Sequence, residues 1–153
     1  MAAEQYNARS CQFQIENPGS PGTFVDIGAG GDAIMTFSVS READTTDTTD
    51  FASAGNAESQ VMQRGKTLKL EGKRLKDVTT GALDPGQQLV ETLADQVGTA
   101  SLGRIRFAAP GDTTWEVWTC TAQLGDQGGG NNDKVSWSVT FTRSGASTTL
   151  PRP

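Results

Sequence analysis

From Arg41 to Leu75 the chain reads READTTDTTDFASAGNAESQVMQRGKTLKLEGKRL, and no other stretch so narrows the folds open to it. Residues 41–65 are rich in Thr, Asp, Ser and Gly and too poor in apolar side chains to build a core of their own. The flanks alternate with the two-residue period of strands: Met35, Phe37 and Val39 before, Leu68 and Leu70 after. Two strands joined by roughly twenty residues with little internal structure are unusual inside a compact domain, where such segments are functional or disordered. The segment therefore reads as an interaction arm, a loop over residues 41–65 that is ordered by contact with another subunit.

The rest of the chain is punctuated like a β-rich domain. Its 153 residues suffice for one domain with a real core. In residues 9–16, Cys11, Phe13 and Ile15 alternate with Gln12, Gln14 and Glu16, as in a half-buried strand. NPGSPG (17–22) is a turn, TFVDI (23–27) a short strand, and GAGGDA (28–33) a second turn. That last run superficially fits a dinucleotide-binding fingerprint, but the motif needs a helix after it, and residues 34–40 alternate like a strand. One helix is expected over residues 84–97, with Asp84 as cap, Pro85 at the first position, Leu89, Val90, Leu93 and Val97 as the apolar stripe, and Gly98 as the stop.

RIRFA (104–108) and WEVWTCTA (115–122) read as a hairpin across Pro110-Gly111-Asp112. Trp115 and Val117 share one face of the second strand and Trp118 and Cys120 the other, so cover is expected on both. After a Gly/Asn-rich loop (125–133), KVSWSVTFTR puts Val135, Trp137, Val139 and Phe141 on one side and Ser136, Ser138, Thr140 and Thr142 on the other. The expected fold is mainly β: a β-sandwich or partly open barrel with one flanking helix, over residues 1–145. Residues 146–153 form a tail with no core to join.

Composition bounds the chemistry. With no histidine, Ser-His-Asp and Cys-His catalysis, histidine acid–base chemistry and most zinc sites are removed. A net charge of −5 argues against gripping a nucleic-acid backbone, though not against letting one pass. Cys11 and Cys120 form no CxxC and read as small buried hydrophobes. Asp44, Asp47 and Asp50 recur every three residues, but the twelve-residue calcium-loop pattern is absent. A solvated or subunit-facing acidic arm is the simpler reading, and no metal or cofactor is expected. Lys73-Arg74-Leu75-Lys76, beside Glu71, suits a solvated strand end better than a phosphate patch. A carboxylate pair drawn from Glu71, Glu91, Asp112 and Glu116 would suit a glycosidase-like enzyme, but nothing in the sequence brings two of them together. A monomeric β-sandwich binding module is a further alternative. No run has the length and apolarity to span a membrane, and the start has no signal-peptide pattern, so synthesis and residence in the cytoplasm, with exit by assembly or lysis, are expected.

The order of these pieces carries a resemblance. DTTDFASAGN followed by the 66–75 strand, the GQQLVETL helix, the IRF strand with its Pro-Gly turn, and KVSWSVTFTR ending in a short tail together resemble the tail tube (major tail) proteins of long-tailed bacteriophages. The N-terminal domain of the lambda-type tube protein is the nearest form, and the pattern covers almost the whole chain. The lambda-type protein adds an immunoglobulin-like domain; this sequence stops before one, so surface decoration is not implied. The resemblance implies the tail tube fold, shared with type VI secretion tubes, and a virion protein without enzymatic activity. It implies homohexameric rings stacked into a hollow tube, built in the host cytoplasm, that carries the genome to the host. The inner tube of a contractile tail or tailocin remains a close alternative.

Partners would be the chain itself and other tail proteins (tape measure, tail terminator, tail tip), with double-stranded DNA passing through without specific binding and no membrane contact. Asp44, Asp47, Asp50, Phe51, Gln60, Met62 and Arg64 are the expected subunit- or ring-contacting residues. Ser38, Lys69, Glu71, Lys73, Ser138 and Thr140 are candidates for the lumen wall, since small hydroxyls with mixed charge do not hold phosphate. The same residues equally suit the solvent face of an ordinary sandwich.

Overall fold

The computed structural model describes residues 3–28 and 34–153. Among them are strands β1 (Gln12–Glu16), β2 (Phe24–Asp26), β3 (Ile34–Asp47), β4 (Ser59–Lys73), β5 (Gly103–Ala108), β6 (Thr114–Leu124), β7 (Ser136–Arg143) and β8 (Thr148–Pro151), with helix α1 (Pro85–Ala94). The strands join in one open antiparallel sheet in the order β2, β1, β5, β6, β7, β4, β3, with β8 also on β6. The expected mainly β architecture with one helix holds. Of the expected GAGGDA turn, residues 29–33 lie outside the described residues.

The sheet folds over so that β1 and β3, far apart in its order, face each other: the Phe13 and Phe37 rings are 5.0 Å apart. Between the two halves lies the main core, with Ile15, Ile105, Trp118 and Cys120 from one side and Leu68, Leu70, Trp137, Val139 and Phe141 from the other. A smaller cluster of Ala108, Trp115, Val117 and Leu150 covers the opposite face of β6. Both faces of β6 are thus buried, as the placing of its two Trp residues predicts. Cys120 is fully buried and Cys11 packs at the core margin, both as free thiols.

Helix α1 closes one end of the core through Leu89, Val90 and Leu93. Asp84 caps it: one carboxylate oxygen accepts from the amides of Gln87 and Gly28, at 3.0 Å each. Gly86 lets the first turn press against β2, where a Cβ would run into the Asp26 carbonyl. Gln87, buried, donates to the Lys73 carbonyl (2.9 Å) and accepts from the Leu75 amide (2.9 Å), pinning the helix to the end of β4. Arg74 adds a two-pronged ion pair to Glu91, both contacts 3.1 Å.

Five expectations change. The loop over 41–65 is mostly strand, because β3 and β4 pair as far as Asp47 and Ser59. A backbone ladder needs no apolar face, and Thr and Val suit an extended chain. The helix ends at Ala94, and Val97 lies beyond it, 85% exposed, ahead of a 3-10 turn over Gly98–Ser101. A bulge between Ile34 and Thr36 turns Met35 outward and gives Ile34 its place at the core. Val135 precedes β7 and is exposed.

The tail is also not free. Past a jog at Ser144–Ser147, where Gly145 takes φ 81°, β8 continues along the edge of β6 that β7 occupies. Leu150 packs by Trp115, the Arg152 guanidinium lies 5.1 Å from the Trp115 ring, and Arg152 donates to the Ala109 carbonyl at 2.8 Å.

Candidate assembly surfaces

Past Thr67, where β7 leaves off, β3 and β4 run on as a two-stranded arm exposed on both faces. The seven residues from Arg41 to Asp47 span roughly 20 Å at the rise of a strand. Arg41 lies opposite Lys66, Ala43 opposite Arg64, Asp44 opposite Gln63, Thr46 opposite Gln60 and Asp47 opposite Ser59. Met62 sits at a bulge and is 63% exposed. Strict alternation carries Arg41, Lys66 and Arg64 along the side of Val39 and Leu68, and Glu42 and Asp44 along the other.

The arm ends in a built tip. Asp50 and Ser53 form a reciprocal cap around a single 3-10 turn over Phe51–Ser53, with contacts of 3.1 Å from each amide. Thr49 holds Glu58 by amide and carbonyl, and donates its amide to Asp47 at 2.8 Å. Thr49, by its hydroxyl and then its amide, keeps the Asp47 carboxyl below the usual range. The left-handed pair Ala54 and Gly55 turns the chain back. Phe51 stands wholly in solvent at 107% relative exposure. The three aspartates do not converge, and no group of carboxylates and thiols able to hold a metal occurs among the described residues.

Charge is as unevenly placed as polarity. Residues 42–60 contain Glu42, Asp44, Asp47, Asp50 and Glu58 and no Lys or Arg. With 18 acidic and 13 basic residues in all, removing these five leaves 13 of each, so residues 42–60 alone account for the net charge of −5. The root is the reverse: Arg41, Lys66 and Arg64 are register neighbours, and Arg143 donates to the Arg64 carbonyl at 3.4 Å. Arg64 was expected in the contact set, but Arg41, Lys66 and Arg143 were not. Their clustering follows from the β3–β4–β7 register, which composition does not reveal.

The outer face of β3, β4, β7 and β6 is the second surface. Its rows read Ser40, Thr67, Thr142, Thr121; then Ser38, Lys69, Thr140, Gln123; then Thr36, Glu71, Ser138. Lys73 follows at its end, opposite Ser136. All six residues proposed for a lumen wall thus share one face. Ser38, Lys69 and Glu71 are exposed, whereas Lys73, Ser138 and Thr140 are half-buried. Gly125 passes so close to Ser138 that a Cβ there would meet its hydroxyl. Lys69 and Glu71 pair at 2.8 Å, and Lys69 first and Thr36 second hold the Glu71 carboxyl low. The carboxylates considered for catalysis are engaged separately: Glu71 with Lys69, Glu91 with Arg74, Glu116 with Lys66, and Asp112 with the Ala109 amide.

No protein-family model matches the chain, and no curated protein matches it. Solved structures do. The chain is similar to one in the tail of an empty GTA particle computed with helical refinement in C6 symmetry, with TM-score 0.72 and 17% identity over 95% of this chain and 99% of that one. A chain in the virion of a native gene transfer agent particle gives TM-score 0.64 and 14% identity over 95% and 99%. One in the 6-fold symmetrised baseplate of the anti-feeding prophage gives 0.62 and 13% over 98% and 98%. At these identities the likeness is one of fold, end to end. It matches the coarse resemblance and does not single out the lambda-type branch.

Proposed function

We propose that the chain is a structural virion protein that polymerises as stacked homohexameric rings into the hollow tail tube of a bacteriophage-like particle. The observation that carries this reading is the end-to-end fold likeness to a chain from a helical, C6-symmetric tail. The single exposed ribbon supports it, because an isolated two-stranded hairpin is marginal in water and gains order against a neighbour. The free outer edge of β3 is a second support, since no described strand pairs with it and edges of this kind join subunits. A head-to-tail contact between unlike surfaces closes into rings or extends into filaments.

In this reading residues 1–145 are the tube domain, and the tail over residues 146–153 adds β8 to its sheet. Asp44, Asp47, Asp50, Phe51, Gln60, Met62 and Arg64 contact other subunits or rings. The hydroxyl face with Ser38, Lys69, Glu71, Lys73, Ser138 and Thr140 lines the lumen, past which double-stranded DNA slides unbound. Tape measure, terminator and tip proteins complete the tail, which assembles in the host cytoplasm. A second reading, the inner tube of a contractile tail, tailocin or related injection system, is favoured by the likeness to a chain of the anti-feeding prophage baseplate.

Negative-stain electron microscopy of the purified protein over a concentration series tests both readings. Hollow tubes or six-fold rings are the expected result. A protein that stays monomeric throughout, and whose melting temperature rises with calcium or a sugar, is a binding module instead.

A further inference from the structure

The tube reading leaves open what the arm tip touches. Resting on that reading, we propose that the tip of one copy docks at the arm root of a second copy, with Phe51 entering the cavity there and the tip carboxylates meeting Arg41, Arg64 and Lys66. The cavity, about 480 Å³, is lined by Tyr6, Phe13, Phe37, Val39 and Phe107, with Cys11 in its wall. By register, Arg41 and Lys66 follow directly on Val39 and Leu68 along the same side, so they flank it.

Two independent complementarities converge here. One is apolar: a fully exposed aromatic ring, held out by a capped turn, faces no described partner in its own chain, and an aromatic-lined cavity stands open. Burying such a ring in an apolar cavity removes its surface from water and so favours the contact. The other is electrostatic: the tip end carries Asp47, Asp50 and Glu58 with no Lys or Arg between them, and the root gathers four cations. Among the described residues only Lys66 of the four has a carboxylate partner, Glu116 at 3.5 Å. Asp112, the other acid at the cavity, accepts from the Ala109 amide.

The occupant is a second copy, because the tip cannot serve its own root. The ladder runs from Arg41–Lys66 to Asp47–Ser59, about 20 Å away at the rise of a strand. A tip that meets another copy's root leaves its own root free for the next, which makes the contact open-ended.

Cys11 supplies the probe, since the other thiol, Cys120, is buried in the core. Ala52→Cys places a thiol beside Phe51 without removing the ring. Treating assembled full-length protein with a short bismaleimide should give a ladder of covalent oligomers, absent in the Ala52→Cys/Cys11→Ser variant. Phe51→Ser, at a site without contacts to lose, should raise the concentration needed for assembly at least tenfold while leaving the melting temperature unchanged. Tubes that give no ladder, or a ladder that survives Cys11→Ser, overturn the docking site and leave the tube reading standing. A chain that never self-associates overturns both.

Discussion

Gln87 looks like an ordinary helix-surface residue in the sequence, yet it is buried and satisfies two backbone groups of another element at once. Gln87→Leu keeps the volume and strands the Lys73 carbonyl and the Leu75 amide. The expected loss is about 2 kcal/mol, read as a lower urea midpoint at unchanged slope. Cys120 gives a second residue-level test. Burial pushes its thiol up to about 12 from the ordinary 9.0. Its contribution to stability is fully present below the unfolded value and is lost as pH rises toward the folded one. The unfolded chain sheds the proton first, so stability should fall by about 1.4 kcal/mol per pH unit in that window. Cys120→Ala should show a shallower alkaline decline than the wild type, whatever its stability at neutral pH.

The arm is the element on which sequence and structure diverge most. Alternation marked the strands that bury a face: Leu68 and Leu70, Trp137 to Phe141, and the two sides of β6. It was silent over residues 41–47 and 59–65, where neither face is buried and only the backbone ladder speaks for a strand. It was silent again at β8, because the jog at Gly145 breaks the pattern and four residues are too few to restore it. Helix α1 was legible from its cap and stripe, but its end was not, since Val97 fits the stripe and points to solvent. For the candidate surfaces, the residue types of the hydroxyl face were readable, while the pairing that gathers the root cations was not. The arm's lack of support has a dynamic consequence. In the free subunit, amides of residues 42–47 and 59–65 should exchange far faster than those of residues 67–73, which β7 supports, and should slow on assembly. Equal protection in the free subunit would mean the ribbon needs no partner.

At the scale of the molecule, residues 42–60 sum to the whole net charge and the rest of the chain is balanced, a division that bears on what could pass through a tube. The outer face of β3, β4 and β7 sets Ser and Thr rows around the Lys69–Glu71 pair, whose charges cancel at 2.8 Å. A wall of this kind offers phosphates no sustained attraction, whereas added cations would release counterions from DNA and hold it. Ser38→Lys with Ser40→Lys tests this at two exposed positions, where the cost in stability should stay within about 0.5 kcal/mol. Tubes of this variant should retain short DNA duplexes at low salt, release them steeply as salt rises, and shield them from nuclease. Wild-type tubes should retain none. Retained DNA that nuclease digests freely would put the hydroxyl face on the outside of the tube, and the lumen wall would then have to be sought on another face of the sheet.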